Sequence, residues 1–131
     1  SITGGEGNDI LTGGDGDDIF VWESSDVGTP GNPMQDEVTD FDGNVDNSEG
    51  TSSDVLDLSD LLSDGSHSIE GLAAADVDGS GGKHLQLSIT DGDGKSIQII
   101  DISNVAAASD TDAQQMLQNL LDNGGIDDGS D

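Results

Sequence analysis

The sequence predicts a mainly β fold: a short parallel roll over residues 1–22, closed by a β-rich capping region over 23–125 that ends in one helix. Three observations predict it. Residues 4–12 and 13–21 repeat one nine-residue pattern, Gly-Gly-x-Gly-x-Asp-x-apolar-x, with no gap between copies. Further on, two segments alternate polar and apolar residues on either side of a Gly-Asp turn. After them comes an apolar stripe at helical spacing.

Each repeat is a glycine-rich turn of six residues leading into a strand of three, a unit that buries its apolar side chain only by stacking on a neighbour. Gly4, Gly5 and Gly7, then Gly13, Gly14 and Gly16, open backbone angles closed to other residues, so that carbonyls can point at an ion. Asp9 and Asp18 add carboxylate oxygens, the hard ligands that Ca²⁺ prefers. Leu11 and Phe20 occupy the apolar position of each copy and are expected to point inward. The pattern describes a calcium-binding parallel β-roll.

These residues resemble the RTX family, repeat proteins that Gram-negative bacteria export by type I secretion. The resemblance implies calcium ions between neighbouring turns, with Asp9 and Asp18 as side-chain ligands. It also implies backbone ligands from Gly4, Gly5, Gly7, Gly13, Gly14 and Gly16. Two nonapeptides make about one coil, and repeat stacks usually need three or more units. Ser1-Ile2-Thr3 looks like the end of an earlier repeat, and there is no initiator Met. The chain is therefore expected to be the C-terminal piece of a longer protein.

Composition points the same way. The 131 residues suit one domain and carry a net charge of -27, with 29 acidic residues against Lys83 and Lys95 alone. Such a chain repels nucleic acid and anionic membrane surfaces. Hydrophobic content of 31% and aromatic content of 2% make a thin core to set against chain entropy and acidic self-repulsion. Divalent cations would remove that repulsion if the acids are ligands; a solvated acidic surface is the alternative. Cysteine is absent, so no disulfide framework exists. No apolar run reaches the roughly 18 residues of a membrane span, and no N-terminal signal peptide is present.

After the repeats, Ile19–Trp22 reads as a closing strand with Trp22 capping the roll, and 23–35 as a loop. Asp36–Phe41 and Asp54–Ser59 read as short strands joined by an acidic loop, the second running into a helical turn at 59–62. Lys83–Thr90 and Lys95–Ile102 form a β-hairpin about Asp91-Gly92-Asp93-Gly94. A helix is expected from about Asp112 to Asp122, opened by a Thr111–Gln114 capping box and stopped by Asn123-Gly124-Gly125. Its stripe of Ala113, Met116, Leu117, Leu120 and Leu121 suits core packing. The tail, 126–131, is expected to fray as a flexible segment.

The paired Asp-x-Val-x-Asp-Phe and Asp-Val-Leu-Asp-Leu segments resemble the elements that close RTX rolls. That resemblance implies a second set of calcium ligands, Asp36, Asp40, Asp54 and Asp57; the alternative is that these strand-end aspartates cap backbone amides. Residues 1 to about 125 together resemble the type I secretion target domain of very large RTX adhesins, on the repeats, the Asp-Leu-Ser-Asp-Leu-Leu segment, the hairpin and the Asp-Ala-Gln…Leu-Leu-Asp-Asn-Gly ending.

Other motifs fall short. Asp76-Val77-Asp78-Gly79 opens like an EF-hand, but Leu87 stands where the twelfth-position glutamate belongs. Asp91 and Asp93 read as turn residues. His67 and His84 lack partners at zinc spacing. No nucleophile elbow or phosphate loop is present, so no catalytic residue is assigned and the chain is not expected to be an enzyme.

The expected function is calcium-triggered folding coupled to export: a secreted or cell-surface monomer that takes Ca²⁺ as cofactor, meets the type I secretion machinery, and carries or adjoins the secretion signal of an adhesin active in cell adhesion and biofilms. No nucleic-acid partner and no membrane insertion are expected. The alternative parent is a secreted RTX hydrolase, a metalloprotease or lipase, without its catalytic domain. Ice binding needs a longer array than one coil.

Overall fold

The computed structural model describes residues 2–5, 7–14, 16–23, 25, 27–42, 54–62, 67–75 and 83–129. The first five strands are short: β1 (Ile2–Thr3), β2 (Ile10–Leu11), β3 (Ile19–Val21), β4 (Met34–Val38) and β5 (Val55–Asp57). A four-residue helix, α1 (Ser59–Leu62), precedes three long strands, β6 (Ser68–Ala75), β7 (Lys83–Thr90) and β8 (Ser96–Ala106). The chain closes with α2 (Asp110–Asn123) and β9 (Ile126–Asp127). The fold is mainly β, with α2 its main helix.

Strands β1 to β5 go alternately into two sheets. The first has the order β1-β3-β5-β9 and is parallel throughout. The second has the order β2-β4-β8-β7-β6 and is mixed: β2, β4 and β8 run parallel, while β8, β7 and β6 run antiparallel. The two repeat glycine turns account for its first steps, carrying the chain from β1 to β2 and from β2 to β3, each time into the other sheet. Ile2 pairs with Phe20, so β1 meets the strand two nonapeptides later.

Period-2 patterning then decides what is buried. In β2 and β3, Ile10 and Ile19 face outward at 74% and 43% exposure, while Leu11 and Phe20 point in. They join Trp22, Val38, Phe41, Leu56, Leu58 and Leu61 in one core. Leu85, Leu87 and Ile89 of β7 pack on the same face as Ile100 and Ile102 of β8, all fully buried. Each such aliphatic side chain contributes about 1.5–3 kcal/mol. This single cluster spans both sheets and α2.

Several expectations change. The hairpin does more than cap: β8 pairs in parallel with β4 over Met34–Val38, so it extends the sheet that holds the repeat strand β2. Strand β4 begins at Met34, inside the expected loop, and ends at Val38. Strand β6 carried no expectation. The capping box is replaced at α2: Ser109 is the N-cap and its side chain accepts the Asp112 amide, while Gln114 turns away to β6. Gly124, at φ +85°, ends the helix as expected. The tail does not simply fray, because Ile126 and Asp127 pair with Leu56 and Asp57, and Ile126 is buried. The acidic loop at 43–50, the EF-hand-like segment at 76–81 and the final residues 130–131 lie outside the described residues.

Candidate calcium-binding repeats

Each repeat brings together the same three features. Two glycines hold left-handed backbone, Gly5 and Gly7 at φ +81° and +95°, Gly14 and Gly16 at +84° and +88°. A third glycine lies under the aspartate. A Cβ on Gly4 would stand 2.7 Å from Asp9 Oδ2, and one on Gly13 would stand 2.5 Å from Asp18 Oδ2. A side chain at the first glycine of either repeat would therefore press on the aspartate five residues on, and that carboxylate would have to shift.

The third feature is electrostatic. Asp9 Oδ2 and Asp18 Oδ2 are buried, and neither meets a hydrogen-bond donor among the described residues. A buried oxygen without a partner is costly, more so when it is ionised. A divalent cation removes that cost, and carboxylate oxygens beside glycine-turn carbonyls are the donor set that Ca²⁺ takes. The residues present therefore fit the ion. Among the described residues no three His, Asp or Glu side chains gather as a cage, so backbone oxygens would supply the rest. Glu6 and Asp15, at the x positions, lie outside the described residues.

The second set of aspartates behaves differently. Asp36 is 2% exposed; its Oδ1 accepts the Asp9 amide (2.7 Å), and its Oδ2 accepts Trp22 Nε1 (2.7 Å) and Gln98 Nε2 (2.9 Å). Burial pushes its pKa above 3.8, opposed by the hydrogen bonds from Trp22 and the Asp9 amide. Asp40 accepts the Gly13 amide at Oδ1 (2.9 Å) and the Gly14 amide at Oδ2 (2.6 Å). Asp54, 1% exposed, accepts Asp18 N at Oδ1 and Asp42 N at Oδ2, both at 2.9 Å. Asp57 Oδ1 accepts the amide and hydroxyl of Ser59 at the start of α1. All four cap backbone amides.

Residues 1–21 match the family model described as the RTX calcium-binding nonapeptide repeat (4 copies). The N-terminus is a calcium-binding RTX element. RTX repeat proteins are typically secreted and take up calcium outside the cell. No curated protein and no solved structure matches the chain. Ca²⁺ is thus the cofactor of the RTX segment. No helix among the described residues is long and apolar enough to cross a membrane.

Sequence reasoning missed the polar network around the repeats. Gln98 is fully buried, facing the core beside Ile100 and Ile102. A glutamine in an otherwise apolar alternation was the available signal. Asp101 Oδ1 accepts from Gln86 Nε2 and pairs with His84 Nε2, and its Oδ2 accepts from Gln35 Nε2. His84, unassigned in the sequence, therefore belongs to a buried cross-strand pair. Its partner, seventeen residues away, could not be assigned without the register of β7 on β8.

Proposed function

We propose that this chain is the C-terminal calcium-responsive domain of a large secreted RTX adhesin, folding on extracellular calcium as it leaves through a type I secretion channel. It works as a binding and folding module, without catalysis. The observation that carries this reading is the pair of buried, unpartnered carboxylate oxygens, Asp9 Oδ2 and Asp18 Oδ2, in a chain of net charge -27. Where calcium is scarce, those oxygens and their acidic neighbours oppose compaction and keep the chain threadable. Where it is abundant, the ion binds the folded state alone and adds about 2.7 kcal/mol per site at a hundredfold excess over Kd. Two or three such sites supply most of a small domain's marginal stability.

The alternation of β1 to β5 between two sheets supports reading the N-terminus as one coil of a parallel β-roll, with the glycine turns at its two edges. The mixed second sheet supports a roll that the hairpin terminates. Folding of the C-terminus outside the cell would also oppose backsliding of the chain behind it.

The test is export of the parent chain from cells with its secretion channel, comparing Asp9→Ala and Asp18→Ala with the unsubstituted protein across external calcium concentrations. Slower export of the variants, with loss of the calcium dependence, is expected. Export at the unsubstituted rate would overturn the link between calcium and secretion.

A further inference from the structure

Asp9 and Asp18 hold equivalent places in their repeats, and each is gripped in the same way by an aspartate from the segment that follows the repeats. The Asp9 amide donates to Asp36 Oδ1 while its carbonyl accepts from Glu37 N. The Asp18 amide donates to Asp54 Oδ1 while its carbonyl accepts from Val55 N. Between these two grips, Asp40 receives the Gly13 and Gly14 amides, one on each oxygen. Three carboxylates from residues 36–54 thus hold the backbone of the two calcium turns.

Their oxygens are already engaged. Asp36 receives three donors and Asp40 and Asp54 two each, whereas Asp9 Oδ2 and Asp18 Oδ2 receive none. We infer that Asp36, Asp40 and Asp54 are positioning residues rather than calcium ligands: they clamp the repeat turns so that the ion sites and the capping region order as one unit. This rests on the calcium reading of the repeats.

The clamps reach well beyond the turns. Asp36 Oδ2 also receives Gln98 of β8, so the carboxylate that grips the first repeat through Oδ1 is tied to the hairpin through its other oxygen. Charged acceptors bind amides more strongly than neutral ones do. They also bring extra negative charge beside Asp9 and Asp18, which repels them until a cation is present. Binding of the ion and docking of the cap must then favour each other equally, since coupling between two sites is reciprocal. Trp22, the single tryptophan, donates to the Asp36 clamp and is buried when it is closed.

The experiment is calorimetric titration of the full chain with Ca²⁺, counting ions and measuring affinity for Asp40→Ala and Asp54→Ala beside Asp9→Ala and Asp18→Ala. Loss of ions in the Asp9 and Asp18 variants checks the calcium reading itself; no loss there would sink that reading, whatever the clamps do. With it standing, Asp40→Ala and Asp54→Ala are expected to bind the same number of ions about tenfold more weakly. Loss of an ion in either would make that residue a ligand and overturn the inference, as would unchanged number and affinity. Asp40 is only half-buried, so its variant keeps the test open if Asp54→Ala does not fold. Trp22 emission in the unsubstituted chain gives a second reading: it is expected to shift at the calcium midpoint of folding, and a Trp22 already buried without calcium would contradict the coupling.

Discussion

Gln114 Oε1, in the second turn of α2, accepts the amide of Gly71 at the middle of the edge strand β6. Two residues on, the Ala73 amide donates to Asp110 Oδ1 of the same helix (2.9 Å). An edge strand offers unpaired amides to any passing chain, and here a helix occupies them with side-chain acceptors. The approach is close enough that a Cβ on Gly71 would stand 2.5 Å from the Ala113 carbonyl oxygen. The small side of β6 and the polar side of α2 are one device.

Gly71→Ala is accordingly expected to destabilise the calcium-loaded protein by about 1–3 kcal/mol, because backbone rather than a flexible side chain must yield. Gln114→Ala, which strands the Gly71 amide, should cost about as much. Gly92→Ala is the control, since nothing lies within 4 Å of its Cβ position; a change within about 0.5 kcal/mol is expected. Urea unfolding in saturating calcium measures all three. Equal effects at positions 71 and 92 would contradict the packing described.

Strand β9 gives a second prediction. Ile126 is 3% exposed and pairs with Leu56, whereas Ile10 is 74% exposed on β2. Ile126→Ala should cost about 2–4 kcal/mol, and Ile10→Ala should stay within about 0.5 kcal/mol. The same denaturation series decides it. A neutral Ile126→Ala would mean that the C-terminal strand does not hold the parallel sheet.

The hairpin turn gives the pH dependence. Asp91 Oδ1 accepts the Lys95 amide and the Asp93 amide, both at 3.0 Å. The Lys95 amide, above all, holds the carboxyl below its ordinary value of 3.8. A depressed folded-state pKa means that the contribution is present above pH 3.8 and lost as pH falls through the folded value. Carbon-detected NMR titration should find Asp91 ionising below 3.8, and Asp91→Asn should remove its share of the acid dependence. Titration at or above 3.8 would show that the turn is not closed by these amides.

How legible this fold was depended on whether the information was local. Strand β7 matched its expected bounds, Lys83–Thr90, because Leu85, Leu87 and Ile89 alternate without interruption and Asp91–Gly94 supplies the turn. The stripe of α2 was as clear, but Thr111 and Ser109 offer equal capping chemistry two residues apart, and the demand of β6 for Gln114 decides between them. Strand β6 escaped because Ser-Ile-Glu-Gly-Leu-Ala-Ala-Ala has weak β propensity; pairing with β7 and cover by α2 make it a strand. Strand β9 is two residues in a glycine- and acid-rich tail, fixed only by a partner about seventy positions earlier.

The same division runs through the candidate site. The nonapeptide spacing exposed Asp9 and Asp18 directly, since glycine freedom and carboxylate chemistry recur within nine residues. What Asp36, Asp40 and Asp54 touch was illegible, because an aspartate that caps an amide and one that binds an ion look alike in sequence. Only the parallel register of β4 and β5 on the repeat strands brings each carboxylate to its amide.

Calcium removal tests the central claim most directly. The metal-free chain would be titrated with Ca²⁺ while circular dichroism follows its β content, with Mg²⁺ as the control. A cooperative transition from coil to β structure with Ca²⁺ and none with Mg²⁺ is the predicted result. A chain already folded in chelator, and indifferent to added calcium, would contradict it and leave the acids as a solvated surface.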